Sequence, residues 1–123
     1  MMTSLYRHEL LEDLATRLFV AAGTPGTEAR IVSQHLVESS LMGHDSHGVM
    51  RIPEYLELIE QGRIKPGGAI TVKQTSATTS IIDCGGNFGQ VGGRAAVEDA
   101  IARAAGHQVA TVITNNCNHV GRL

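Results

Sequence analysis

The chain has little of what would mark an extreme class. Two cysteines, Cys84 and Cys117, among 123 residues are too few for the disulfide framework of a small secreted domain and favour a reducing compartment. No charge of one sign dominates. Ten Lys and Arg against twelve Asp and Glu leave a formal charge of −2, which excludes the basic footprint of a nucleic-acid-binding protein. No segment reaches the roughly 18 uncharged apolar residues of a membrane span. Arg7, Glu9, Glu12 and Asp13 interrupt any apolar leader. Internal repeats and low-complexity tracts are also missing. What remains is an ordinary globular composition, 42% hydrophobic and 18% charged, in a chain of single-domain size. A soluble, cytoplasmic protein is the expectation, with neither nucleic acid nor membrane as partner.

Periodicity divides the chain in two. Leu11, Leu14, Ala15, Leu18 and Ala22 form a helical stripe over residues 4–22, with Gly23 as its stop. Thr24 offers an N-cap hydroxyl and Pro25 a preset first turn for a second helix that carries Ala29, Val32 and Leu36 inward and ends near Gly43. Ile52, Tyr55, Leu56 and Ile59 recur at i, i+3, i+4 and i+7, so a third helix runs to about Gln61, with Pro53 in its first turn. After "QGRIKPGG" (61–68) β-branched residues become dense. Residues 70–75, 78–83 and 108–114 read as strands. Val97, Ala100, Ile101 and Ala104 mark a helix closed by Gly106. The reading is a helical segment over 1–62, then a β-β-α-β unit over 63–123 that begins an α/β core. Three strands leave a sheet with an unpaired edge, which calls for more chain or a partner.

Three kinds of chemistry compete for the polar residues. "CGGNFGQVGG" (84–93) follows a strand and opens a helix, as a phosphate-binding loop would. Its glycines do not follow G-x-G-x-x-G, and no acidic residue ends the next strand at "TVITNN". A tight turn with close helix-strand approach is the simpler reading. His44, His47, Cys117 and His119 could assemble a metal site. Their spacings match neither paired structural cysteines nor the H-E-x-x-H of zinc hydrolases. Ser46 lacks the G-x-S-x-G elbow of a hydrolase nucleophile. His8, His35 and His107 read as helix-surface or packing residues.

The third candidate is a polar catalytic loop. In "GHDSHGVMR" (43–51), His47 and Arg51 stand four apart and would share one helical face if the third helix began near Gly48, with Tyr55 a turn beyond. A guanidinium can fix a carboxylate in a bidentate fork, and an imidazole beside it can move a proton near neutral pH. His119 stands in an Asn-rich loop, "TNNCNHVGR", after a strand. On spacing alone, the alternative that Ser46 merely caps a helix and the histidines face water is equally open.

The stretches "GHDSHGVMRIPEYLELIEQGRIKPGG", "GQV" and "NNCNHVGRL", in that order, resemble the N-terminal part of the malate/L-lactate dehydrogenase family. These are type-2, NAD(P)-dependent 2-hydroxyacid oxidoreductases. The resemblance covers essentially the whole chain and rests most firmly on D-S-H-G and N-H-x-G-R. It implies a non-Rossmann α/β fold in a much longer protein, of which this chain is a fragment. It also implies NAD or NADP as cofactor, mostly held by residues beyond Leu123, a homodimer, and a small 2-hydroxy or 2-oxo acid substrate such as malate or lactate. Carried over by residue, His119 is the proton-transfer histidine, and His47 stands beside nicotinamide and substrate. Ser46 supplies a neighbouring hydroxyl, and Arg51 faces the substrate carboxylate. Val120 and Gly121 approach the cofactor; His44 and Asp45 support the site. Two other readings stay open: a non-catalytic piece with a helical interaction surface, and a His/Cys metal-binding module.

Overall fold

The computed structural model describes residues 4–123, as helices and a three-stranded sheet. Helices α1 (His8–Ala21) and α2 (Gly26–Leu41) pack against each other across the link 22–25. On α2 the expected inward row holds: Ala29, Val32 and Leu36 are fully buried. On α1 the buried row is Ala15 and Phe19, whereas Leu14 and Leu18 stay 45% and 37% exposed. The helix is therefore rotated by about one position from the leucine stripe, because the larger ring of Phe19 packs against Tyr55 and Phe88. Residues 4–7 lie outside it. Thr24 does not cap α2: the helix starts from Pro25 without a side-chain cap, and the buried Thr24 hydroxyl has no hydrogen-bond partner among the described residues.

The segment before α3 (Ile52–Glu60) departs from the expected helix start near Gly48. Two single 3₁₀ turns, Asp45–His47 and Val49–Arg51, flank an extended Gly48. The Val49 N–H is taken by the Ser40 hydroxyl of α2 at 3.1 Å, and Arg51 N–H bonds the Gly48 carbonyl three residues back. These bonds tighten the chain into short turns. His47 and Arg51 consequently do not share an α-helical face. Pro53 does lie in the first turn of α3.

The core cluster joins Ala15, Phe19, Ala29, Val32, Leu36, Tyr55, Ile64 and Phe88. Its centre is aromatic: Phe19 lies 5.6 Å from Phe88 and 6.5 Å from Tyr55, and Tyr55 lies 6.1 Å from Phe88 between ring centroids. Three of the chain's four Phe and Tyr residues thus meet at one point. That point anchors Tyr55 from its ring side, leaving the hydroxyl to reach outward.

Strands β1 (Thr71–Gln74), β2 (Thr79–Asp83) and β3 (Thr111–Asn115) are ordered β1-β2-β3. β1 pairs antiparallel to β2, with Val72 opposite Ile82, and β3 pairs parallel to β2, with Ile81 opposite Ile113. The parallel pair requires a crossover, supplied by α4 (Gly89–His107). β2 buries Ser80 and Ile82. The Ser80 hydroxyl donates to Asp99 of α4, which Arg103 grips with two bonds of 2.7 and 3.1 Å. α4 differs from expectation at both ends and on its apolar row. It begins at Gly89, inside the glycine run, and passes Gly106 to stop at His107, where Gln108 adopts φ +68°. Val97 and Ile101 are 58% and 65% exposed, and the Ser80–Asp99–Arg103 linkage joins the helix to the sheet. Among the described residues no helix is long and apolar enough to cross a membrane.

Candidate active site

The segment after β3 is placed by its asparagines. Asn116, at φ +50°, turns the chain and donates to Asp83 at 3.0 Å. Asn118 then donates from Nδ2 to the carbonyls of Gly86 and Asn87 at 2.7 and 3.0 Å. This lays residues 118 and 119 across the first turn of α4. A Cβ at Gly89 would overlap the carbonyl oxygens of Asn118 and His119, so the close approach requires glycine there. The start of α4 is accordingly covered by the chain itself. Asn87 Oδ1 accepts the Phe88 N–H at 2.7 Å. The glycine run turns the chain at Gly85 and Gly86 and lets α4 approach the 118–119 loop at Gly89, and Cys84, just after β2, at Gly92.

His119 is thereby brought against α3. Its Nδ1 lies 3.0 Å from the Tyr55 hydroxyl, which also receives a hydrogen bond of 2.9 Å from Gln90 Nε2. The His47 ring lies 5.3 Å from that of His119, inclined by 34°. Ser46 Oγ is 2.9 Å from His47 Nδ1. Arg51 donates from Nε to the Ser46 carbonyl at 2.7 Å and from Nη1 to Glu54 at 2.5 Å. Nε thus braces the 3₁₀ turn and Nη1 the start of α3, and Nη2 makes no hydrogen bond among the described residues. His35 of α2 accepts the Arg122 N–H at Nε2, 3.0 Å away. Gly121, at φ +95° and too close to His35 Nε2 to carry a Cβ, shapes that contact.

These surroundings shift the titratable groups. Partial desolvation lowers the His119 pKa below its ordinary 6.5, and the positive charge of Arg51 and the neighbouring His47 add to this. Desolvation, then Arg122, lowers His35. Burial raises Tyr55 above 10, only partly opposed by the Gln90 hydrogen bond. His119 is therefore held as a neutral imidazole with its outer edge exposed, a state suited to exchanging a proton near neutral pH.

Four sequence-derived candidates, Ser46, His47, Arg51 and His119, are brought together. Beside them a cleft of about 310 Å³ is lined by His44, His47, Gly121, Arg122 and Leu123. Val120 instead lines a cleft of about 450 Å³ on the side of His35 and Gln90. Cys117 does not join the histidines. It neighbours the buried Cys84, whose thiol is pushed up to about 12 by desolvation first and by its hydrogen bond with Cys117. Among the described residues no three His, Cys, Asp or Glu side chains are grouped to hold a metal ion. Sequence periodicity places Tyr55 on the apolar row of α3 and a turn beyond Arg51, but assigns no site role to Tyr55 or Gln90 and does not reveal the His35 contact. The i+4 step from Arg51 is the available signal for Tyr55; Gln90 stands in the quoted "GQV" stretch, which gives its place but not its hydrogen bond to Tyr55.

Comparison with known proteins agrees with this architecture. Residues 6–123 match the malate/L-lactate dehydrogenase family. Hydroxycarboxylate dehydrogenase B of Escherichia coli strain K12 is 34% identical over 116 residues, 94% of this chain and 32% of that protein. L-sulfolactate dehydrogenase of Methanocaldococcus jannaschii is 37% identical over 99 residues, 80% of this chain and 29% of its own length. Among solved structures, sulfolactate dehydrogenase from M. jannaschii superposes with a TM-score of 0.92 at 33% identity, over 96% of this chain and 34% of that one. Malate dehydrogenase from Pyrococcus horikoshii OT3 gives 0.89 at 29%, over 98% and 37%. The chain thus spans about a third of the length of the relatives it matches. On this agreement of sequence and fold, the chain belongs to the malate/L-lactate dehydrogenase family.

Proposed function

We propose that the chain forms one half of the active site of an oxidoreductase that passes a hydride between NAD or NADP and a small 2-hydroxy or 2-oxo acid such as malate or lactate. The observation that carries this reading is the His119 imidazole. It is held at Nδ1 by Tyr55, packed against His47, and exposed at its outer edge. The relatives' names point the same way: hydroxycarboxylate, sulfolactate and malate dehydrogenases.

A bound nicotinamide supplies the hydride acceptor or donor. The cleft beside His47 and Gly121 is open and large enough for such a ring, whereas the covered start of α4 offers its phosphates no cradle. The chain's own residues handle the rest. His119 takes the hydroxyl proton of a 2-hydroxy acid at Nε2, or returns it to the oxygen of a 2-oxo acid. Arg51 attracts the substrate carboxylate through its charge and through Nη2, the guanidinium nitrogen that Ser46 and Glu54 leave unused. His47, fixed by the Ser46 hydroxyl, lines the substrate and nicotinamide side of the same space. Val120 and Gly121 bring backbone toward the cofactor. In this reading residues 1–62 form a helical segment, residues 63–123 begin the α/β core, and the working protein is a cytoplasmic homodimer.

The test is to express the full open reading frame and follow reduced nicotinamide with a panel of 2-hydroxy acids and either NAD or NADP. Turnover of at least one acid is expected, and none with any pair would contradict the proposal. The short span relative to relatives also supports a second reading, that the isolated chain is a non-catalytic piece. Titration of NADH or NADPH fluorescence against it separates the two, because such a piece gives no saturable binding.

A further inference from the structure

The Tyr55 hydroxyl stands between two groups that constrain its one proton. Its ring is fixed in the core between Phe19 and Phe88. Gln90 Nε2 lies 2.9 Å away and His119 Nδ1 3.0 Å away. An amide nitrogen can only donate, so it occupies an oxygen lone pair, and the phenolic proton is directed to His119 Nδ1. Nδ1 is then an acceptor, and the neutral ring must carry its proton on Nε2. At the other end of the chain, the buried Oε1 of Gln90 has no hydrogen-bond partner among the described residues.

That unpaired oxygen matters when the ring proton moves. If Nδ1 carries a proton, it and the Gln90 N–H both donate to one oxygen, and the phenolic proton is left without an acceptor. Turning the Gln90 amide over resolves this. Oε1 then accepts from Tyr55, and Tyr55 accepts from His119. A cavity of about 30 Å³ lined by Tyr55, Gln90 and His119 gives the junction room. The other titratable groups near His119 are His35, His47, Arg51 and Glu54, and none is hydrogen bonded to Nδ1. We infer that Gln90 is a positioning residue: acting through Tyr55, its amide orientation decides which ring nitrogen of His119 carries the proton.

The consequence rests on the proposed dehydrogenase reading. With Gln90 donating to Tyr55, His119 Nε2 bears a hydrogen and suits the carbonyl oxygen of a 2-oxo acid. With the amide reversed, Nε2 has a free lone pair and suits the hydroxyl of a 2-hydroxy acid. When an imidazolium gives its Nε2 proton to the substrate oxygen, the neutral ring keeps its proton on Nδ1. The reversed amide is the orientation that accommodates it.

The experiment reads the tautomer of His119 directly, by long-range proton–nitrogen NMR of the ¹⁵N-histidine-labelled chain above the imidazole titration range. The unsubstituted chain should show Nε2–H. Gln90→Glu, whose carboxylate only accepts, should convert the population mostly to Nδ1–H, and in a Tyr55→Phe background that response should vanish. The same tautomer in the unsubstituted chain and Gln90→Glu would overturn the inference, as would a conversion that persists without the Tyr55 hydroxyl. If Gln90→Glu fails to fold, Gln90→Met decides. A mixed population supports the inference, and an unchanged Nε2–H overturns it. Because no substrate is present, this result is independent of turnover. Full-length protein lacking His119-dependent turnover would defeat the dehydrogenase reading alone.

Discussion

His119, within the 119–122 segment, ties it to Tyr55, and His35 of α2 holds its other end through Arg122, both in their neutral forms. Each has a folded pKa below the ordinary 6.5, so the unfolded chain binds the proton first. Their contribution is intact above 6.5 and is lost as pH falls through the lowered folded values. For His35 the geometry is explicit, because the lone pair that protonation removes is the one that accepts the Arg122 N–H. His35→Gln can keep an acceptor without titrating. Urea unfolding between about pH 7.5 and 5 should therefore show a shallower loss of stability in that variant. An identical pH dependence would contradict the role given to His35. At this scale His119 and His47 could be recognised in the sequence from their short motifs. Gln90 could not, because its function is a single hydrogen bond made across 35 residues of chain. The His35 contact spans 87 residues, and nothing local to α2 announces it.

The elements owe their positions to close approach more than to propensity. α4 begins three residues beyond the turn at Gly85 and Gly86, and its first residue is pressed by the 118–119 backbone. Replacing a helical glycine with alanine ordinarily gains up to about 1 kcal/mol. At Gly89 the added carbon meets two carbonyls, and overpacking of that kind costs about 1–3 kcal/mol. Gly89→Ala should thus destabilise the chain by about that amount in a denaturant titration, and should loosen the His119–Tyr55 contact. A stabilised variant would contradict the packing described. Helices α2 and α3 were legible because Ala29, Val32 and Leu36, and then Ile52 to Ile59, keep an unbroken period. The 3₁₀ pair at 45–51 was not, since it arises from Ser40 of α2 claiming the Val49 N–H, a tertiary competition with no sequence period. The misassigned face of α1 has a similar cause. Leucine spacing is silent about which residue will meet Phe88.

Across the whole molecule, one aromatic cluster couples the helical hairpin to the site. Phe88 touches Phe19 from α1 and Tyr55 from α3, and the next residues, Gly89 and Gln90, contact the His119 loop and Tyr55. Phe88→Ala should cost about 3–5 kcal/mol, seen as a lowered midpoint of thermal or urea unfolding. The His119 tautomer should lose its uniformity in the same variant. A cost near zero would show that the cluster does not organise the chain. The mixed α/β class was legible from the change of texture near residue 62. The sheet's arrangement was not, because pairing order is decided by contacts between distant strands. β1 is exposed at every position, and β3 at all but one, so strand patterning alone said little about either.

The central claim is that His119 moves the substrate proton. Its most direct test is His119→Ala in the full-length protein, with turnover and cofactor binding measured side by side. The account predicts a loss of turnover of about 10² to 10⁴-fold, with nicotinamide binding largely retained. Turnover near that of the unsubstituted enzyme would contradict it.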